Sequence, residues 1–429
     1  MQVNRRKVLM STLCGAGYVG LRSLATGIPA AVLLEGPRAL ADNNASRAQF
    51  MILATSSNGD PLNANAPGTY AASGALATIA HNMDPTMAET PLSLGGVQTS
   101  AAMPWAQLPQ SVLDRMAVWH IATGTPVHPR EPDVLGLLGA TAPNEMLPSL
   151  LAKQLAPSLG TIQTQPITLG ATSPTEGLSY GGQALPIIPP LALKATLANP
   201  AGPLAGVTNL QTLRDQTLAQ IDDIYRGQAT KAQKAYLDSL ITTQSQVRSI
   251  NQNLLSALGS IKDNSVASQI TAAVVLIQMN VTPVVAIHIP FGGDNHNDTG
   301  LANEATQTVS GIGAIGSLMT QLAAAGLADK VSFVSLNVFG RTIGPGNTDG
   351  RQHNPNHQVS LTIGKPFKAG VIGGVGPVGT DFGALPIGSI APTDSLASFG
   401  KTVMAAVGVD PAVTDSAIIS GKVVTGAIA

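Results

Sequence analysis

The chain contains a single cysteine, Cys14, near its start. Beyond residue 41 there is none, so that part has neither a disulfide nor a thiol nucleophile. Charge is scarce as well: Asp, Glu, Lys and Arg make up 11% of the residues, against roughly 25% in an average soluble protein. Aromatic residues reach only 3%, which leaves little material for base-stacking platforms. With a formal net charge of −1 and no run of like charges, an electrostatic grip on nucleic acid is excluded. Neither a G-x-S-x-G nucleophile elbow nor a G-x-x-x-x-G-K-[ST] phosphate loop occurs.

Apolar residues are plentiful at 44%, enough for a sizeable core. The 45 glycines and 30 prolines point to many turns and irregular connections. The start of the chain reads as an export signal. Arg5-Arg6-Lys7 precedes a weakly hydrophobic run from Val8 to Leu21, and a second run, Leu24 to Leu34, leads to Ala39-Leu40-Ala41, an A-x-A cleavage pattern. Each run is shorter than the ~20 residues that span a bilayer, and merging them would put Arg22 near the middle. The expectation is a twin-arginine signal over residues 1–41, recognised by the twin-arginine export machinery and removed. The mature protein would then have no stable membrane span and work in the periplasm or outside the cell. Of 23 basic and 24 acidic residues, cleavage removes five (Arg5, Arg6, Lys7, Arg22, Arg38) and one (Glu35), leaving 18 and 23 and a net −5.

From residue 42 onward, short apolar runs alternate with helical patterns, as in a sheet covered by helices. Strands are predicted at Gln49 to Ala54, Met116 to Ala122, Thr282 to Ile289, Val331 to Val338 and Val359 to Ile363. The first three are nearly continuous apolar runs, which suits burial on both faces. The last alternates apolar and polar residues and reads as an edge strand with one face exposed. Helices are predicted at Leu108 to Arg115, Pro132 to Leu138 and Glu304 to Leu327, with a longer helical pattern, a hairpin insertion, over about 210–261. Residues 156–207 read as a wandering insertion. Gly311 to Gly316 and Gly374 to Gly379 match dinucleotide-loop spacing, but neither lies at a strand-to-helix turn, so both read as structural.

Two loops carry the residues suited to chemistry. In Phe291-Gly292-Gly293-Asp294-Asn295-His296-Asn297-Asp298, extended backbone would turn Asp294 and His296 to one side, offering oxygen and nitrogen ligands to one ion. The second loop, Asp349 to His357, brings His353 and His357, and Pro355 disfavours a regular helix through it. The bland alternative is a pair of turns capped by their own polar side chains. Among the other histidines, His288 in an apolar strand and His120 beside Trp119 read as core residues. His128, with Pro126 and Pro129 close by, is the strongest candidate among them for an extra ligand.

Several stretches resemble an exported bacterial domain-of-unknown-function family (1501) within the alkaline phosphatase and sulfatase superfamily. They are Arg5-Arg6, Ser57-Asn58-Gly59-Asp60-Pro61-Leu62-Asn63, Met116 to His120, Gly292-Gly293-Asp294-Asn295-His296, Gly326-Leu327-Ala328-Asp329-Lys330-Val331, Phe339-Gly340-Arg341-Thr342 and Gly350-Arg351-Gln352-His353-Asn354-Pro355, in the family's order. The resemblance implies an α/β protein, a three-layer α/β/α sandwich of alkaline-phosphatase-like type, with one or two divalent metals, zinc first among them. It implies hydrolysis of small anionic phosphate or sulfate esters. Carried over by position, Asp294, His296 and His353 would bind one metal and Asp60 would belong to a second. Arg341 would either bind the anionic substrate or pair with a ligand carboxylate. Three departures qualify this: Asn337-Val338 replaces Ser-Glu, Gln352 replaces Asp, and Pro61 replaces Gly. Valine removes a ligand and its charge, so the second metal site is expected to be damaged. Thr55, Ser56, Ser57 and Thr69 all remain open as nucleophile. The alternative reading is a catalytically degenerate binding or structural protein of the cell envelope.

Overall fold

The computed structural model describes residues 45–142, 145–171, 176–197, 257–291 and 293–429, with four isolated positions between 220 and 227. The proposed signal and nearly all of the 210–261 helical insertion lie outside the described residues.

A seven-stranded sheet organises the chain. Its strands are β1 (Phe50–Ser56), β2 (Met116–Ile121), β3 (Ile167–Thr168), β4 (Val284–Ile287), β5 (Val331–Asn337), β6 (Gln358–Ile363) and β7 (Gly370–Ile372), in the order β7-β2-β6-β5-β1-β4-β3. β1 is paired in parallel with both β4 and β5, with Met51 opposite Val284 and Phe50 opposite Val331. β6 alone runs against its neighbours β2 and β5. This mostly parallel sheet is what the continuous apolar runs require, because parallel strands bury both faces.

Alternate residues of β1 feed two cores. Phe50, Ile52 and Ala54 join the cluster that holds residues of α2 (Val266–Gln278) and α3 (Ala302–Ala324). Met51 and Leu53 join the opposite cluster, with residues of α1 (Leu147–Leu159) and α4 (Ser395–Ala406). The protein is therefore an α/β fold with helices on both sheet faces. Asp298 accepts hydrogen bonds from the Asn303 and Glu304 amides, both at 2.9 Å, and so caps the start of α3. Gly311 to Gly316 fall inside α3, where Gly311 lets Phe291 pack against the backbone; Val375–Val378 is one arm of a hairpin. Among the described residues no helix is long and apolar enough to cross a membrane.

One strand departs from expectation. β6 is central and buried throughout, not an exposed edge. Its polar side chains bond inside the protein: Trp119 donates to the Thr362 hydroxyl (3.1 Å) and Gln358 to the Ser360 hydroxyl (3.0 Å), which leaves only Gln358 Oε1 of the strand without a partner among the described residues. Period-two polarity here serves a hydrogen-bonded interior. Part of the 156–207 stretch is also more ordered than a wandering insertion. It supplies the end of α1, the strand β3 and a helix at Pro190–Leu197.

Candidate metal centre

Because β6 is antiparallel, its incoming loop arrives at the same sheet edge as the outgoing loops of the parallel strands. Ligands bind at that edge in open α/β sheets. The loops after β2 and β4 deliver His128 and the Asp294/His296 pair, and the loop before β6 delivers His353. These four side chains each offer an atom lying within 4.8 Å of the others' and form a group that could hold a metal ion.

The geometry is that of a supported ligand set. His128 donates its Nδ1 hydrogen to the Ser57 carbonyl at 2.6 Å, and His353 donates its own to the Pro126 carbonyl at 2.6 Å. His296 Nδ1 lies 2.9 Å from Oε1 of Gln352, again an acceptor. Carbonyl and amide oxygens cannot donate, so each ring carries its hydrogen on Nδ1 and leaves a lone pair on Nε2. Metal-ligating histidines are oriented in this way. The three Nε2 atoms converge: His296 Nε2 is 2.8 Å from His353 Nε2 and 3.2 Å from Asp294 Oδ1, and His128 Nε2 is 3.9 Å from Asp294 Oδ2. Two facing lone pairs at 2.8 Å repel unless a shared proton or a cation binds both. Zinc–nitrogen bonds of 2.0–2.1 Å arranged tetrahedrally separate their ligands by about 3.3 Å, inside the observed range. Burial holds the His353 ring below the usual histidine range, with the nearby Arg341, His128 and His296 adding to the effect. The donor set thus suits a divalent metal.

The centre is half-open. Side-chain exposure is 31% for His128, 32% for His296 and 51% for Asp294, so a solute can reach it. Phe339 forms the floor, with its ring centroid 4.2 Å from that of His353 and 4.9 Å from that of His128. Gly350 joins the two ligand loops at φ +126, where a Cβ would lie 2.1 Å from the His296 carbonyl oxygen.

Two sequence-selected residues are placed differently from the group. Asp60 is wholly buried and uses Oδ1 to accept from the Leu62 amide at 2.9 Å, capping the turn that Pro61 begins. Burial pushes its carboxyl up to about 7. It is not one of the four. Val338 packs in the apolar cluster below, with no carboxylate to add there. Arg341, its side chain fully buried, reaches Asp294 Oδ1 (3.2 Å), the Gly293 carbonyl (3.2 Å) and the Asn58 carbonyl, and it also lies 3.4 Å from His296 Nε2. Of the two roles open to it, this arrangement is carboxylate pairing.

The other histidines are elsewhere. His120 donates from Nε2 to the Pro67 carbonyl (2.9 Å), so its Nδ1 must accept from His357 Nε2 at 2.8 Å; both rings are fully buried. Burial lowers His120 to about 4 and holds His357 well below its usual range. His288 is buried 3.4 Å from Glu176. Of the hydroxyl residues, Ser57 donates to Glu176 Oε1 (2.8 Å), Thr55 donates to Glu131, Ser56 accepts from the Asn58 amide (3.1 Å) and Thr69 donates to the Ala64 carbonyl (2.8 Å). Glu131, Glu176 and the supporting role of Gln352 escaped sequence reasoning, since lone polar residues far apart in the chain carry no spacing signal.

Compared with known proteins, the chain gave no match to any family model and none to a curated protein. The assignment of a metal-holding group therefore rests on the converging Nε2 atoms themselves.

Proposed function

We propose that the protein is an exported, divalent-metal-dependent hydrolase of small phosphate or sulfate esters, with zinc as its metal. The observation that carries this reading is the convergence of three imidazole Nε2 atoms and one carboxylate at a half-open sheet edge, each ring fixed through Nδ1. His128, His296 and His353 would hold the metal, and Asp294 would complete the set. A bound metal supplies Lewis acidity toward an ester oxygen. The chain's own contribution is orientation: Gln352 and the Ser57 and Pro126 carbonyls keep the lone pairs aimed at one point, and Arg341 holds Asp294 in place. The reaction class comes from the family resemblance, as do the alkaline-phosphatase-like variant of the α/β fold, the twin-arginine route and the location outside the cytoplasm. Zinc titration of the full chain, followed by turnover of para-nitrophenyl phosphate and para-nitrophenyl sulfate, tests the reading. Zinc-dependent turnover absent from His296→Ala is expected; equal turnover in both proteins rejects it.

A second reading has its own support: a catalytically degenerate binding or structural protein of the cell envelope. Val338 and Gln352 stand where the resembling family has carboxylates, and Arg341 occupies Asp294 with a positive charge that competes with a cation. It predicts no turnover of either ester, with or without added zinc.

A further inference from the structure

Behind the His128 ring lies a chain of hydrogen bonds that ends on a carboxylate far away in sequence. His128 Nδ1 donates to the Ser57 carbonyl at 2.6 Å. Ser57 is in turn held at two points by one oxygen: its amide and its hydroxyl both donate to Glu176 Oε1, each at 2.8 Å. The other oxygen of Glu176 lies 3.4 Å from His288 Nδ1, just beyond β4 and at the root of the loop that carries Asp294 and His296. Glu176, Ser57 and His288 are all at least nine-tenths buried, so these contacts are shielded from competing water. One side chain, reached only after β3, thus ties the carboxyl end of β1 to the carboxyl end of β4.

We propose that Glu176 is a positioning residue for the metal centre: by clamping Ser57 it fixes the carbonyl that aims His128 Nε2 at the ion. The inference rests on the reading that the four-residue group binds a metal. Glu131 is a neighbour but does a different job. It bonds to the Thr55 hydroxyl, and burial, with Glu176 nearby, pushes its carboxyl well above the usual carboxylate range.

The test compares Co²⁺ and Zn²⁺ binding by the full-length parent, Glu176→Gln, Glu176→Asp and Glu176→Ala, with the visible absorption of bound Co²⁺ and the melting temperature without metal recorded for each. An amide oxygen can accept both Ser57 hydrogens, so Glu176→Gln should bind within about threefold of the parent. Aspartate is shorter by one methylene and cannot reach; it and alanine should bind about 10–100-fold more weakly, the range for lost outer ligand support. Their Co²⁺ bands should weaken or shift. A merely structural role would lower the melting temperature without changing the Co²⁺ spectrum. If Glu176→Ala fails to fold, the aspartate and glutamine variants decide. Parent-like affinity and spectrum in Glu176→Asp overturns the proposal. Failure of the parent itself to bind either metal sinks the metal reading instead, so the two failures are distinguishable.

Discussion

Each imidazole of the centre is aimed by one acceptor, and that makes single residues testable. Gln352 is the most informative. Its neutral amide oxygen lies 2.9 Å from His296 Nδ1 and accepts the ring hydrogen there. Gln352→Ala should free the His296 ring and weaken zinc binding by about 10–100-fold, while Gln352→Asp keeps an acceptor and should stay near the parent; isothermal titration with a competing chelator reads both. Removing a ligand outright, as in His296→Ala or His353→Ala, should cost at least as much. Zinc binding should also weaken as pH falls, because each ring must shed a proton to bind. His353 is held below the usual histidine range, so its own share of that loss comes at lower pH than for an ordinary histidine.

At the scale of elements, the ligand loops are held by contacts that do not touch the metal. Gly350 presses the second loop onto the first, and Gly350→Ala would drive a methyl group into the His296 carbonyl at a φ that alanine resists. A loss of more than about 1 kcal/mol in urea denaturation, together with weaker zinc binding, is expected. Behind the loops lie buried groups with opposing pH demands. His120 is lowered from 6.5 to about 4, so the unfolded chain binds more protons in that interval. Its contribution of about 3 kcal/mol is full above pH 6.5 and lost as pH falls through 4. Asp60 is raised from 3.8 to about 7, and so its contribution, of similar size, is full below 3.8 and lost as pH rises through 7. The two largely cancel between pH 4 and 6.5, which single variants should unmask. Asp60→Asn should gain stability relative to the parent as pH rises from 4 to 7, and His120→Gln should gain relative to it as pH falls from 6.5 to 4. Thermal melts across that range check both, and parallel profiles would contradict the account.

For the molecule as a whole, the parts visible in the sequence were those with local signatures. The five strand runs from Gln49 to Ile363 are short and apolar, and the structure has a strand in each. Asp294 and His296, two apart in one loop, were legible; His128, alone in a proline-flanked loop with no partner at a fixed spacing, carried a weaker signal. The edge position expected for β6 was not, because hydroxyls bonded inside a core give the same alternation as hydroxyls facing water. Asp60 looked like a ligand by position in the resembling family, yet it caps its own turn. Nothing local tells that Glu176 would meet Ser57 across 119 positions. Most of the assembly is long-range in this sense, and α1, α2 and α4 declare themselves only through the faces they bury.

The central claim is that three imidazoles and a carboxylate at one sheet edge hold a divalent metal. The most direct measurement is the metal content of the purified full chain after zinc loading and exhaustive dialysis, set beside that of His296→Ala. The account predicts about one zinc per parent chain and under about a tenth of that in the variant. A parent without zinc, or a variant that retains as much, would contradict it.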